Sequence, residues 1–244
     1  MISLKALRPF NITSAFSKIL SFQAAFTPTF QYQSPAFQFR AMSSLSSSKS
    51  DIDRVITYWF GNGEDAAPME KWFHGGPEVD AEIQDQFAEL VDQARASKLS
   101  SWTEEPKGTL ALVILLDQFS RNLFRGSPLS YSAGPLALDI STTAIAKGFE
   151  RQLTYQQQSF FYLPLVHDEN LISQIAATAL CEALEHRIEN GTEAHNFARI
   201  SKVMAERHRD AILRFGRFPG RNEALGRVST PEEIEFLKKH PAGF

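Results

Sequence analysis

The sequence is poor in several features that would announce a chemistry. Its 244 residues hold a single cysteine, Cys181, which excludes an intramolecular disulfide framework and a cysteine-built zinc site. The absence of disulfides suits a reducing compartment. No apolar run exceeds residues 110–116, far short of the ~20 residues that a membrane-spanning helix needs. No membrane span is therefore expected. The glycines form neither a phosphate loop nor a dinucleotide fingerprint, and there is no nucleophile elbow, so no organic cofactor is called for. No stretch alternates apolar and polar residues long enough for a sheet, and no hairpin signal is present.

Acidic residues are missing from one part of the chain. Residues 1–50 carry five Lys and Arg and no Asp or Glu, together with 11 Ser and 7 Phe. A basic, acid-free, serine-rich leader of this kind has the composition of an organelle transit peptide. It points to import into the mitochondrial matrix, or to a shorter cytoplasmic form if translation begins at Met42. The remainder, residues 51–244, holds 20 Lys and Arg against 28 Asp and Glu. A body of that sign is not a general binder of nucleic acid, because phosphate neutralisation needs clustered positive charge. Twenty Phe and 43% apolar residues supply a sizeable core for a single domain over 51–244.

The body reads as helices throughout. Asp51 is expected to cap a short helix through Tyr58-Trp59-Phe60, ended at Gly61. A helix follows Pro77, with Val79, Ile83, Phe87, Val91 and Ala94 at helical spacing. Residues 109–117 are apolar all round and read as a buried central helix. Further helices are expected over 135–147, over 154–163 with Pro164 as its end or kink, and over 168–189. Thr192 caps a helix to Phe215 with Gly216 behind it. Thr230, Pro231 and Glu233 form the capping box of a last helix.

Three polar segments interrupt these helices. In the first, Leu116-Asp117-Gln118-Phe119-Ser120-Arg121-Asn122-Leu123-Phe124-Arg125, the i, i+4 spacing lets Asp117 pair with Arg121. The group is either an internal salt bridge or the wall of a cavity. In the second, Leu163-Pro164-Leu165-Val166-His167-Asp168-Glu169, His167 can act as an acid–base group with Glu169 as its orienting partner. His-x-Glu lacks the spacing of the helical zinc motif, and no metal site is assigned. The third runs from His208 through Arg214-Phe215-Gly216-Arg217-Phe218-Pro219-Gly220-Arg221-Asn222 to Arg227. Arginine forks bind carboxylate or phosphate in a bidentate way, but they also bridge helix ends and surface acids.

These segments, with Trp72-Phe73, Leu225-Gly226-Arg227 and Ser229-Thr230-Pro231-Glu232-Glu233, resemble domain-of-unknown-function family 924 over residues 52–244. The resemblance implies an all-α fold of antiparallel helix pairs, a tetratricopeptide-like helical array without the repeat consensus. It implies no activity and no catalytic residues. Where that family usually has a polar residue or histidine after the Phe-Pro of the third segment, this chain has Gly220.

Two functions of different class are compatible with these residues. The first is a pocket protein that binds or transforms a small anionic metabolite. Arg121, Arg217 and Arg221 would hold the anion, and His167, or else His208, would handle a proton, with Asp117 and Glu169 setting its charge state. The alternative is a helical module that binds a protein or peptide partner on a concave surface.

Overall fold

The computed structural model describes residues 35–62, 71, 72 and 75–240, with side chains from residue 48 onward. By backbone contacts the chain divides into residues 1–43 and 44–244, and the second unit carries the core. The expected leader falls mainly on residues 1–34, which lie outside the described residues.

The architecture is all-α, with no strand among the described residues. Helix α1 (Pro35–Phe60) is followed by α2 (Pro77–Arg95) and α3 (Pro106–Val113). A π-helical turn (Ile114–Phe119) carries α3 directly into α4 (Ser120–Leu123). The short α5 (Leu129–Ser132) precedes α6 (Gly134–Ala146), α7 (Tyr155–His167), α8 (Leu171–His186), α9 (Glu193–Phe215) and α10 (Pro231–Lys239). None of these helices is long and apolar enough to cross a membrane.

The core forms where the hydrophobic pattern demands it. Residues 110–116 are each at most 3% exposed, so the α3–π segment is surrounded on every side. It packs against α2, α6 and α7, while α7, α8 and α9 pack on one another. Helix α2 starts with Pro77 in its first turn and Glu78 and Asp80 beside the helix dipole, and it buries Ile83, Phe87, Val91 and Ala94. Rings of Trp59, Phe60, Trp72 and Phe160 meet edge to face at 5.1–6.1 Å between centroids, the arrangement favoured by the aromatic quadrupole. The capping box at Thr230 and the Thr192 cap are both formed, and Gly216 closes α9 at φ 67°.

Three expected boundaries differ. Asp51 lies inside α1, where it pairs with Arg54 at 2.7 Å rather than capping a helix start. Pro164 neither ends nor breaks α7, which runs on to His167. The free carbonyls at its end find side-chain donors. The buried Gln174 amide serves Leu165, Val166 and Asp168 at 3.0, 2.8 and 2.6 Å, and Arg221 serves His167 at 2.7 Å. Asp168 is the extended residue after α7, and α8 begins three residues later under an Asn170 cap. His167 therefore closes one helix rather than opening the next.

Candidate functional site

The site begins at the π turn. Within an α-helix, π turns are rare, and they occur often where a helix must aim particular side chains. Here the Ser120 hydroxyl reaches back five residues to the Leu115 carbonyl at 3.1 Å, satisfying the widened turn. The turn contains Asp117, which is 2% exposed. A buried carboxylate is costly unless fully paired, and this one is well paired. The Gln118 amide donates to Oδ2 at 2.5 Å, His167 Nδ1 lies 2.8 Å from both oxygens, and Arg121 Nε lies 3.6 Å from Oδ1.

That arrangement fixes the imidazole. An ionised carboxylate only accepts hydrogen bonds, so the proton of neutral His167 sits on Nδ1 and the lone pair on Nε2. Burial alone would raise the Asp117 carboxyl, but the charges of His167 and Arg121 outweigh it and hold it well below the usual range. Burial, and then Arg121, lowers His167 against the pull of Asp117. The dyad at neutral pH is thus a carboxylate beside a neutral imidazole, the pairing that poises Nε2 to take a proton.

Two cavities flank this imidazole, and both have His167, Gln118 and Trp72 in their walls. The first, about 210 Å³, is lined by donors: Lys71, Arg121, Arg125, Asn122 and Trp59. No carboxylate lies on its described walls. Arg125 is committed to Asp80 through two 2.8 Å bonds, which leaves Arg121 and Lys71 as its principal cations. Lys71 stands 3.5 Å over the Tyr58 ring and 3.8 Å from Glu82. Two donor atoms here are buried without a hydrogen-bond partner, Trp59 Nε1 and Arg121 Nε. The second cavity, about 240 Å³, is apolar, with Phe160, Leu163, Phe197 and Met204 in its walls and His208 at its side.

Of the expected site residues, Asp117, Arg121, His167 and His208 come together. The His167 and His208 rings lie 6.3 Å apart. His208 also bonds through Nδ1 to the Met204 carbonyl at 2.8 Å, and burial, followed by His167, lowers it to about 4. The place beside His167 expected for Glu169 is taken by Asp117. Glu169 instead accepts from Arg227 at 2.6 and 3.0 Å and from the Phe218 amide at 2.8 Å. Arg217 is forked onto Glu233 at 2.7 and 2.8 Å and does not line either cavity. Arg221 grips the His167 carbonyl and stacks on Tyr131 and Phe218 at 4.9 and 4.4 Å. It therefore positions the end of α7 rather than facing the cavity. The arginine-rich third segment is a staple that ties residues 216–233 to the α7–α8 connection.

Lys71, Trp59, Gln118 and Arg125 are not marked as site residues by the sequence. Gln118 and Arg125 belong to the first polar segment, but nothing local marks Lys71, which reaches the site only through the fold. Among the described residues, no group of three His, Cys, Asp or Glu side chains is placed to hold a metal ion.

A family model described as "Bacterial protein of unknown function (DUF924)" matches residues 55–241. Among solved structures, the chain is similar to the "Structure of Protein of Unknown Function ATU0120 from Agrobacterium tumefaciens". The two are 34% identical with a TM-score of 0.68, and the match covers 79% of this chain and 99% of that one. Comparison with the curated proteins finds no match.

Proposed function

From the premise that the chain belongs to the DUF924 family of bacterial proteins of unknown function, we propose that it binds a small anion in the Lys71–Arg121 pocket and acts on it by general acid–base catalysis. The observation that carries this reading is the position of the Asp117–His167 dyad, whose imidazole walls a pocket lined by donors and free of carboxylates among its described residues. Lys71 and Arg121 would neutralise the head group, and Trp59 Nε1 would supply a fixed donor. His167 Nε2 would take a proton from water or from the ligand and return it, with Asp117 stabilising the imidazolium.

The interaction-module reading has less behind it. The Asp117, His167 and Glu169 side chains are turned inward and paired, and the exposed apolar group at the start of α8, Leu171, Ile172 and Ile175, is small.

Thermal shift of the full chain against inorganic phosphate and small carboxylates tests the proposal. A ligand at 100 times its Kd stabilises by about 2.7 kcal/mol. Arg121→Gln and Lys71→Gln should remove that stabilisation, and Arg217→Gln should keep it. His167→Gln should bind the anion but not convert it. Equal response in all four variants would count against the pocket.

A further inference from the structure

The two cavities that share His167 have opposite chemistry, and that contrast says something about the ligand. Two residues that line the donor pocket carry a buried donor without a hydrogen-bond partner, Trp59 Nε1 and Arg121 Nε; Arg121 Nε keeps only its ion pair to Asp117 at 3.6 Å, and Trp59 is 1% exposed. Buried donors without partners are rare, because each forgoes its hydration. An anion seated there would bring acceptor oxygens and negative charge to these walls.

The second cavity offers the reverse. Its walls carry Phe160, Leu163, Phe197 and Met204. Its two serine hydroxyls are already spent on main-chain carbonyls, Ser159 on Gln156 at 2.7 Å and Ser201 on Phe197 at 3.0 Å. Gln118, His167 and His208 edge this cavity, but most of its wall is apolar, and an apolar occupant would release water from it. At about 210 and 240 Å³, neither cavity alone reaches the ~300–1,000 Å³ of ordinary ligand sites, but the two together do.

We propose that the ligand is an amphipathic anion, with a carboxylate or phosphate head among Trp59, Lys71 and Arg121 and an aliphatic or aromatic body among Phe160, Leu163, Phe197 and Met204. The atom that gains or loses a proton then lies between head and body, beside His167. This assignment rests on the anion reading and adds the apolar half of the ligand.

The test is calorimetric titration of the full chain with butanoate, hexanoate and octanoate. The matching alkyl phosphates form a second arm, and inorganic phosphate and 1-octanol are the references. The Kd should tighten about fourfold per methylene until the cavity is full, and the arm that binds more tightly at equal chain length identifies the head group. 1-Octanol should bind at least tenfold more weakly than octanoate or octyl phosphate. Ser201→Trp, which fills the apolar cavity, should flatten the series while inorganic phosphate still binds. If that variant does not fold, Leu163→Gln, which keeps the volume and makes it polar, should weaken octanoate more than butanoate. A flat series in the wild type, with phosphate still bound, overturns the amphipathic assignment and leaves the anion reading standing. 1-Octanol binding as tightly as octanoate shows that the charged head contributes nothing, and overturns the amphipathic assignment together with the anion reading. Absence of binding by phosphate and by every chain length overturns both.

Discussion

Replacing Asp117 by Asn changes one atom of the dyad, and its neighbours decide how the new amide must sit. Gln118 Nε2, 2.5 Å from Oδ2, will hold the new carbonyl oxygen on its own side. The new amide NH₂ then occupies the Oδ1 position, 2.8 Å from His167 Nδ1 and 3.6 Å from Arg121 Nε, so a donor faces two donors. The imidazole relieves the clash by moving its proton to Nε2 and accepting at Nδ1, which takes the lone pair out of the cavity. Losing charge-assisted hydrogen bonds to a buried carboxylate costs about 1.5–3 kcal/mol. Arg121 adds little to this, because its side chain is 27% exposed and can turn to water. For a chain of this length the melting temperature should fall by roughly 4–10 °C, and any proton-transfer activity should drop by about 10⁴. Nitrogen-15 spectra of the imidazole read the tautomer, and thermal melts read the stability. The Asp117 carboxyl is held below its ordinary value of 3.8 in the folded state. Its stabilisation is therefore complete above that pH and disappears as pH falls through the lowered value. The gap between wild type and variant should persist from pH 7 to about 4, widening as His167, whose charged form Asp117 favours, takes up its proton, and should close below. A melting temperature within 2 °C of wild type, or a proton still on Nδ1 in the variant, would refute this reasoning.

His208 titrates near 4 when folded, chiefly because it is buried, against an ordinary 6.5. On acidification the unfolded chain takes up its proton first, so stability should decline from pH 7 to about 4 by up to ~3 kcal/mol. His167, lowered in the same direction, adds to the decline. Urea midpoints across that range should fall in the wild type and fall less in His208→Gln, and a wild-type profile already flat there would contradict the assignment. Glu169→Gln loosens the Arg227 fork and should lower stability by about 1.5–3 kcal/mol while changing the Kd for phosphate less than threefold. A tenfold change would place Glu169 in the binding site itself. Gly108→Ala would set a Cβ 2.5 Å from the Trp102 carbonyl oxygen and 3.2 Å from Ile52 Cδ1. It should destabilise by about 1–3 kcal/mol, and an unchanged denaturation midpoint would show that the 3-10 turn carrying Trp102 (Ser100–Glu104) yields freely.

The helices and most of their ends were legible in the sequence because they depend on local physics. A 3.6-residue apolar period, proline in a first turn, a threonine three residues before a glutamate and a glycine behind Phe215 act over a few residues, and the structure has them where the pattern puts them. The boundaries around residues 164–171 were not legible, because the last turn of α7 is held by Gln174 and Arg221 from elsewhere in the chain. Nor did the pattern of residues 109–117 disclose a π turn, since an apolar run buried on all sides looks the same with or without the extra residue. Residue types likewise identified Asp117, Arg121, His167 and His208 as chemically able, but type cannot assign partners. Asp117 meets His167 across 50 residues, whereas Glu169, two residues from that histidine, meets Arg227 across 58. Sequence determined which side chains could carry charge and where the helices would run. Which carboxylate faced the imidazole, and which arginine faced the cavity, were decided by helix packing, because a buried charge must find its counter-charge in space and not along the chain.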